Sequence, residues 1–208
     1  MNGDYKNTHE KILNNALEMF LENGYQNTSL RDLCKKSDVT TGAFYKHFKD
    51  KEDLFSEIVR PLIDKIDNYF LVNTNRFLDA STSRDNLHDF YKAYTHVELN
   101  QLVDFIYDNL KLLKLLIEAS EGTKYANFVE YMALKSDEAM LTGSAKFKEA
   151  SIPFDVSYEE MHILNHAYYS CLALIIKRNY AREEATKYIY KIGDFFSAGY
   201  EKTIFKMD

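Results

Sequence analysis

The sequence predicts an all-α protein, on three observations. Proline is scarce at 2 of 208 residues and glycine stands at 7, too few turn-makers for the many short strands of a sandwich or barrel. Apolar residues recur three and four apart over long stretches, the spacing of one helical face. Capping residues precede several of those stretches. With 46% hydrophobic and 28% charged residues, the chain has enough apolar side chain to build a core, which excludes disorder.

The first helix is expected over 7–23, with Ile12, Leu13, Ala16, Leu17, Phe20 and Leu21 on one face. Asn7 can cap it, Glu10 sits at the capping-box position, and Gly24 can end it. A short second helix follows, capped by Thr28 or Ser29, with Leu30 and Leu33 inward and Asp32 completing a box from Ser29. Asp38 tolerates a tight turn. Thr40 can then cap a third helix over 41–48 whose Phe44 and Phe48 face inward. A fourth starts at Asp50, boxed by Asp53, and carries Leu54, Phe55, Ile58, Val59, Leu62, Ile63 and Ile66. Pro61 inside it removes the amide that would bond residue 57 and is expected to kink or split the helix. Helical periodicity continues over 85–97, 99–118 and 125–141, with Gly122 and Gly143 as stops. Two long helices over 157–178 and 182–205, joined by Asn179-Tyr180-Ala181, close a chain of about nine helices.

Two short helices joined by a three- to four-residue turn form a helix-turn-helix, whose second helix enters the DNA major groove. Ile12-Leu13, Ala16, Phe20, Gly24-Tyr25, the run Thr28 to Leu33, the run Val39 to Phe48 and Lys51-Glu52-Asp53-Leu54 together resemble the N-terminal domain of the TetR family of transcriptional regulators. The match covers roughly residues 6–66; Asp38 stands at the turn where the family often has glycine. The resemblance implies a three-helix DNA-binding domain at 1–50, with the fourth helix as connector, and a larger helical ligand-binding and dimerisation domain at 51–208. It implies a regulator that binds a palindromic operator as a homodimer and is released by a small-molecule effector. An enzyme is not expected, nor any cofactor or metal.

The same resemblance brings Thr40, Thr41, Gly42, Ala43, Tyr45, Lys46 and His47 to the major groove, with Tyr45 toward the phosphate backbone. The chemistry suits this: Thr and Lys can donate to guanine O6 and N7, and a Thr methyl or Ala can meet the thymine methyl. Lys46 and His47 are expected nearest the bases, and Gly42 permits close backbone approach. Ser29 and Lys51, each at a helix start, suit phosphate clamping, and Thr28 and Arg31 complete the expected set. Lys35 and Lys36 read as solvated surface. The net charge of −6 opposes a nucleic-acid partner only on average, because residues 1–51 carry +1 and the remainder −7.

Of 30 aromatic residues, 24 lie beyond residue 51. Tyr91, Tyr94, Phe105, Tyr107, Phe128, Tyr131 and His162 are candidates to line a pocket for an effector of apolar or aromatic character. Met161, Leu164, Tyr168, Cys171, Leu172, Ile189, Ile192, Phe196, Gly199 and Tyr200 form stripes on the last two helices that suit a four-helix dimer interface, the family's usual arrangement. Cys34 and Cys171 lack metal or redox spacing and read as reduced thiols. The polar first eleven residues and a longest apolar stretch of about nine, against the roughly 20 of a membrane span, point to a cytoplasmic protein without a membrane partner. The alternative is a helical small-molecule-binding or metal-dependent protein without DNA regulation: His162 and His166 are four apart, and His88, His96 and carboxylates could join them. No His-Glu-x-x-His, phosphate loop or nucleophile motif supports it.

Overall fold

A computed structural model of the chain describes residues 3–93 and 99–206. Among them are ten helices and no strand. In chain order these are α1 (Gly3–Asn23), α2 (Leu30–Lys36), α3 (Thr41–Phe44), α4 (Lys51–Ala80), α5 (Arg84–Ala93), α6 (Leu99–Asp108), α7 (Leu110–Glu118), α8 (Phe128–Glu149), α9 (Tyr158–Arg178) and α10 (Arg182–Thr203). The chain forms two compact units, Met1–Lys65 with Lys111–Phe128, and Ile66–Leu110 with Val129–Asp208. The boundary between them falls inside α4.

In the first unit Ile12, Ala16, Phe20, Leu33, Phe44, Leu54, Phe55 and Leu62 have no exposed surface and form the core. α1 starts at Gly3, so Asn7 lies within the helix and does not cap it. Gly24, at φ +78°, ends it by donating its amide to the Phe20 carbonyl at 2.8 Å. α4 runs unbroken through Pro61. Pro61 is exposed, so the lost amide bond leaves its unmatched carbonyl on the watered side.

In the second unit the expected helix over 99–118 is divided at Asn109 into α6 and α7, with α7 belonging to the first unit. Gly143 is not a stop. It lies buried inside α8, where a Cβ would come within 3.0 Å of the Phe147 and Phe77 rings. Around Phe147 stand Phe205 and Phe154, each at 5.1 Å between centroids, and Phe77 at 5.5 Å. α9 opens with a complete capping box between Ser157 and Glu160 and closes at Asn179 in the left-handed region, φ 55°.

Phe147 has no exposed surface and holds three rings in edge or tilted packing. Phe147→Ala is expected to destabilise the second unit by about 3–5 kcal/mol, read as a lowered denaturation midpoint.

Candidate nucleic-acid interface and cavity

The local chemistry of residues 24–54 sets the helix-turn-helix. Ser29 caps α2, accepting from the Asp32 amide at 3.1 Å and donating to the Asp32 carboxylate at 2.6 Å. The turn passes through Asp38 at φ 55°, a conformation that short polar side chains tolerate. Thr40 caps α3, its hydroxyl accepting from the Ala43 amide at 3.1 Å. The α-helical part of α3 is shorter than the expected 41–48. After Phe44 the chain tightens, Lys46 donating to Ala43 at 3.1 Å and His47 to Phe44 at 2.9 Å. Phe48 still donates to the Phe44 carbonyl at 3.1 Å, so both rings stay buried.

On the outer side Arg31, Thr40, Thr41, Gly42, Tyr45 and Lys46 are exposed, Tyr45 by 56%, and Ala43 is half-buried. Arg31, Lys35, Thr40 and Thr41 line one open groove between α2 and α3. Lys35 was expected to be mere surface, and its place in that groove could have been read from its position one turn beyond Arg31. Lys36 instead pairs with Glu18 at 3.2 Å.

Three expected contacts sit elsewhere. Thr28 is only 2% exposed, and its hydroxyl donates to the Gly24 carbonyl at 2.8 Å, so it fixes the corner between α1 and α2. Ser29 has its hydroxyl engaged with Asp32, whose carboxylate already occupies the start of α2. Lys51 is engaged with main chain. Its half-buried ammonium donates to the carbonyls of Tyr25 at 2.7 Å and Thr28 at 2.9 Å and lies 4.2 Å over the Tyr25 ring. Burial holds its pKa below the ordinary lysine value.

His47 does not stand free beside Lys46. Its ring stacks on Tyr5 at 4.1 Å and lies 5.5 Å from His9, which in turn stacks on Phe48 at 4.6 Å and bonds Glu57 at 2.6 Å. The Tyr5 hydroxyl also donates to the Lys46 carbonyl at 3.2 Å. The first turn of α1 thus braces the segment after α3. The four-residue spacing of Tyr5 and His9 is its only signal in the sequence. Burial first, then His9 and Lys46, lower the His47 pKa.

The second unit holds a cavity of about 150 Å³. Its walls are the rings of Tyr69, Phe70, Phe77, Phe90, Tyr168, Tyr169, Phe196 and Tyr200, with Asn73, Thr74, Ser136, Asn165 and Ser197 as polar members. A smaller cavity of about 50 Å³ shares Tyr69, Tyr168 and Tyr169 with it and includes Phe105. Among the described residues, Phe105 is the one expected pocket residue on either wall. Tyr107 donates to the Tyr180 carbonyl at 2.7 Å, Tyr131 to the Asp67 carboxylate, and Phe128 is buried at the start of α8. His162 bonds Asp137 at 2.7 Å, which raises its pKa, and lies 3.4 Å from Glu130. Tyr94 and the Tyr91 side chain lie outside the described residues, as does His96. Among the described residues no group of three or more His, Cys, Asp or Glu could hold a metal ion.

The expected dimer stripe also faces inward. Met161, Leu172 and Ile189 are buried, Leu164 packs on the Phe147 core, and Tyr168, Phe196 and Tyr200 line the cavity. Cys171, Ile192 and Gly199 are half-buried. The exposed large apolar residues of these helices are Tyr158 (47%), Ile163 (65%) and Leu174 (53%) on α9, and Tyr188 (39%) and Phe195 (73%) on α10.

Two capped helices around a tight turn, followed by a helical body with an aromatic cavity, define a helix-turn-helix protein with an attached cavity-bearing unit. Residues 12–58 match the model of the bacterial regulatory proteins, tetR family. The chain is 33% identical to the Transposon Tn10 TetC protein of Escherichia coli over 110 residues, 53% of this chain and 50% of TetC. It is 53% identical to the HTH-type transcriptional regulator AcrR of Shigella flexneri over 51 residues, 24% of each chain. The chain thus spans half the length, or less, of these relatives. The fold resembles that of the TetR family transcriptional regulator CifR, solved as a cysteine mutant with a 26 bp double-strand operator DNA: TM-score 0.54, 17% identity, covering 89% of this chain and 94% of that one. No helix among the described residues is long and apolar enough to cross a membrane.

Lys51→Met leaves two carbonyls without their donor and is expected to destabilise the first unit by about 1–3 kcal/mol in chemical denaturation. His47, whose folded pKa lies below 6.5, contributes stability that is complete above that pH and is lost as pH falls through the depressed value. Amide-exchange protection of residues 45–48 should therefore fall on acidification, and His47→Gln should flatten that dependence.

Proposed function

We propose that the chain is a cytoplasmic, ligand-responsive transcriptional regulator, a repressor that binds a palindromic operator as a homodimer and is released by a small-molecule effector. In this reading residues 1–50 read the DNA, and residues 51–208 hold the effector and the dimer contact. The observation that carries it is the exposed face of α2 and α3, where Arg31, Thr41, Gly42, Tyr45 and Lys46 stand outward on capped helices. The operator-bound form of CifR and the regulator named AcrR support the DNA partner.

A single helix-turn-helix covers only a few base pairs, so useful affinity needs two copies on half-sites about one helical turn or a multiple apart. The face that suits a second copy is the exposed row of Ile163, Leu174, Tyr188 and Phe195, with Gly199 open beside it. Tyr45 and Lys46 then meet the groove, and Arg31 and Lys35 meet phosphates. The effector occupies the aromatic cavity and favours a conformation whose half-site spacing no longer fits.

DNA selected from random sequence by the purified protein should converge on an inverted repeat. Tyr45→Ala with Lys46→Ala should lower affinity for it by about tenfold or more while leaving the dimer intact; unchanged affinity would remove these residues from the interface. Leu174→Asp with Phe195→Asp should give a folded monomer by light scattering that no longer holds the full repeat, and a persistent dimer would place the contact elsewhere.

A further inference from the structure

The cavity in the second unit is selective in a way its apolar walls alone do not convey. Among the described residues, none of its lining side chains is Lys, Arg, His, Asp or Glu. The Asp137 carboxylate, behind the lining Asn165, is 2% exposed and already committed, accepting from Asn165 Nδ2 at 2.7 Å and bonding His162 Nδ1 at 2.7 Å. Asn165 is committed too, its Oδ1 accepting from the Tyr200 hydroxyl at 2.8 Å. Beside them, also between α8 and α9, the hydroxyls of Ser136 and Tyr169 bond each other at 2.9 Å. An ion taken into this space would lose its hydration with no counter-charge to replace it, a cost of several kcal/mol.

Ser197 differs from these groups, as does the half-buried Thr74. Ser197 is 7% exposed, lines the cavity from α10, and its hydroxyl makes no hydrogen bond to another described residue. A hydroxyl of a buried residue that lines the cavity without a partner is a group that a ligand can satisfy.

We propose that this cavity takes an uncharged aromatic molecule bearing one neutral hydrogen-bonding group, seated among the rings and anchored on the Ser197 hydroxyl, and that it rejects anions and cations of the same shape. This rests on the reading of the cavity as the effector site and names the chemistry of the effector. The smaller cavity behind Tyr69, Tyr168 and Tyr169 gives room for a ligand longer than one ring system if those side chains turn.

Three isosteric probes test this on the full-length protein by calorimetry at neutral pH: 1-naphthol, 1-naphthoate and 1-naphthylmethylammonium. Naphthol is expected to bind at one per chain, at least about tenfold more tightly than either ion. Ser197→Ala should weaken naphthol by about three- to tenfold and leave both the melting temperature and the binding of plain naphthalene unchanged. Equal or tighter binding of either ion overturns the proposal, as does naphthol affinity indifferent to Ser197→Ala. Failure of all three probes in protein that still binds its selected DNA overturns the proposal and leaves the DNA reading standing. Selective naphthol binding without release of that DNA supports the proposal and overturns the effector reading.

Discussion

A lysine ammonium held beneath a corner of main chain governs the geometry of the helix-turn-helix unit. Lys51 opens α4, and its Nζ reaches back to the carbonyls of Tyr25 and Thr28 in the segment that links α1 to α2. An ammonium has three donors and no acceptor; two go to these carbonyls and its charge faces the Tyr25 ring. A half-buried cation is tolerated only with such partners, so the corner and the start of α4 must form together. The same corner is tied by the Thr28 hydroxyl to Gly24, by the Tyr25 amide to the Ala119 carbonyl at 2.9 Å, and by the Glu52 carboxylate to the Lys124 amide at 3.2 Å. With the corner fixed, Ser29 can start α2 in one direction, and the turn at Asp38 and the cap at Thr40 aim α3.

The second unit solves an analogous problem with a carboxylate. Asp137 on α8 is satisfied only by His162 and Asn165, both on α9, and Asn165 is in turn held by Tyr200 on α10. The chain of bonds runs across three helices and ends at a ring of the cavity wall. It both specifies how these helices meet and leaves the wall without a free charge. The selectivity of the cavity and the registration of its helices therefore have one source.

Local chemistry was legible in the sequence where it is local. Ser29 and Thr40 cap as their spacing implies, Gly24 ends α1, Asn179 begins the expected link after α9, and Asp38 makes the turn. What depends on partners distant in sequence was not legible. Lys51 has the residue type and position of a phosphate ligand, and only the fold brings the Tyr25 and Thr28 carbonyls to it. His47 sits on the outward side of its own helix, but α1 starts one turn earlier than Asn7 suggested and covers it with Tyr5. Periodicity likewise marked broad apolar stripes on α9 and α10, yet could not say which edge meets the core, which meets the cavity and which meets solvent. Tyr168 and Phe196 are on the cavity edge, while Ile163 and Phe195 are on the solvent edge.

Charge follows the same division. The chain carries −6 overall, of which the first 51 residues hold +1. Even there half of the eight cations are engaged: Lys6 lies 3.8 Å from Glu10, Lys11 lies 3.8 Å from Asp38, Lys36 pairs with Glu18, and Lys51 is turned inward. Arg31, Lys35 and Lys46 remain on the exposed α2–α3 face. Each phosphate neutralised contributes about −0.9 to the logarithmic salt slope on duplex DNA, so so few cations support only a shallow slope per protomer. Affinity for non-specific DNA would then be weak, and a functional interface must draw on base contacts from Thr41, Tyr45 and Lys46 and on the doubling of contacts by a second copy. In the proposed regulator, discrimination would rest on fit to the site more than on attraction to DNA in general.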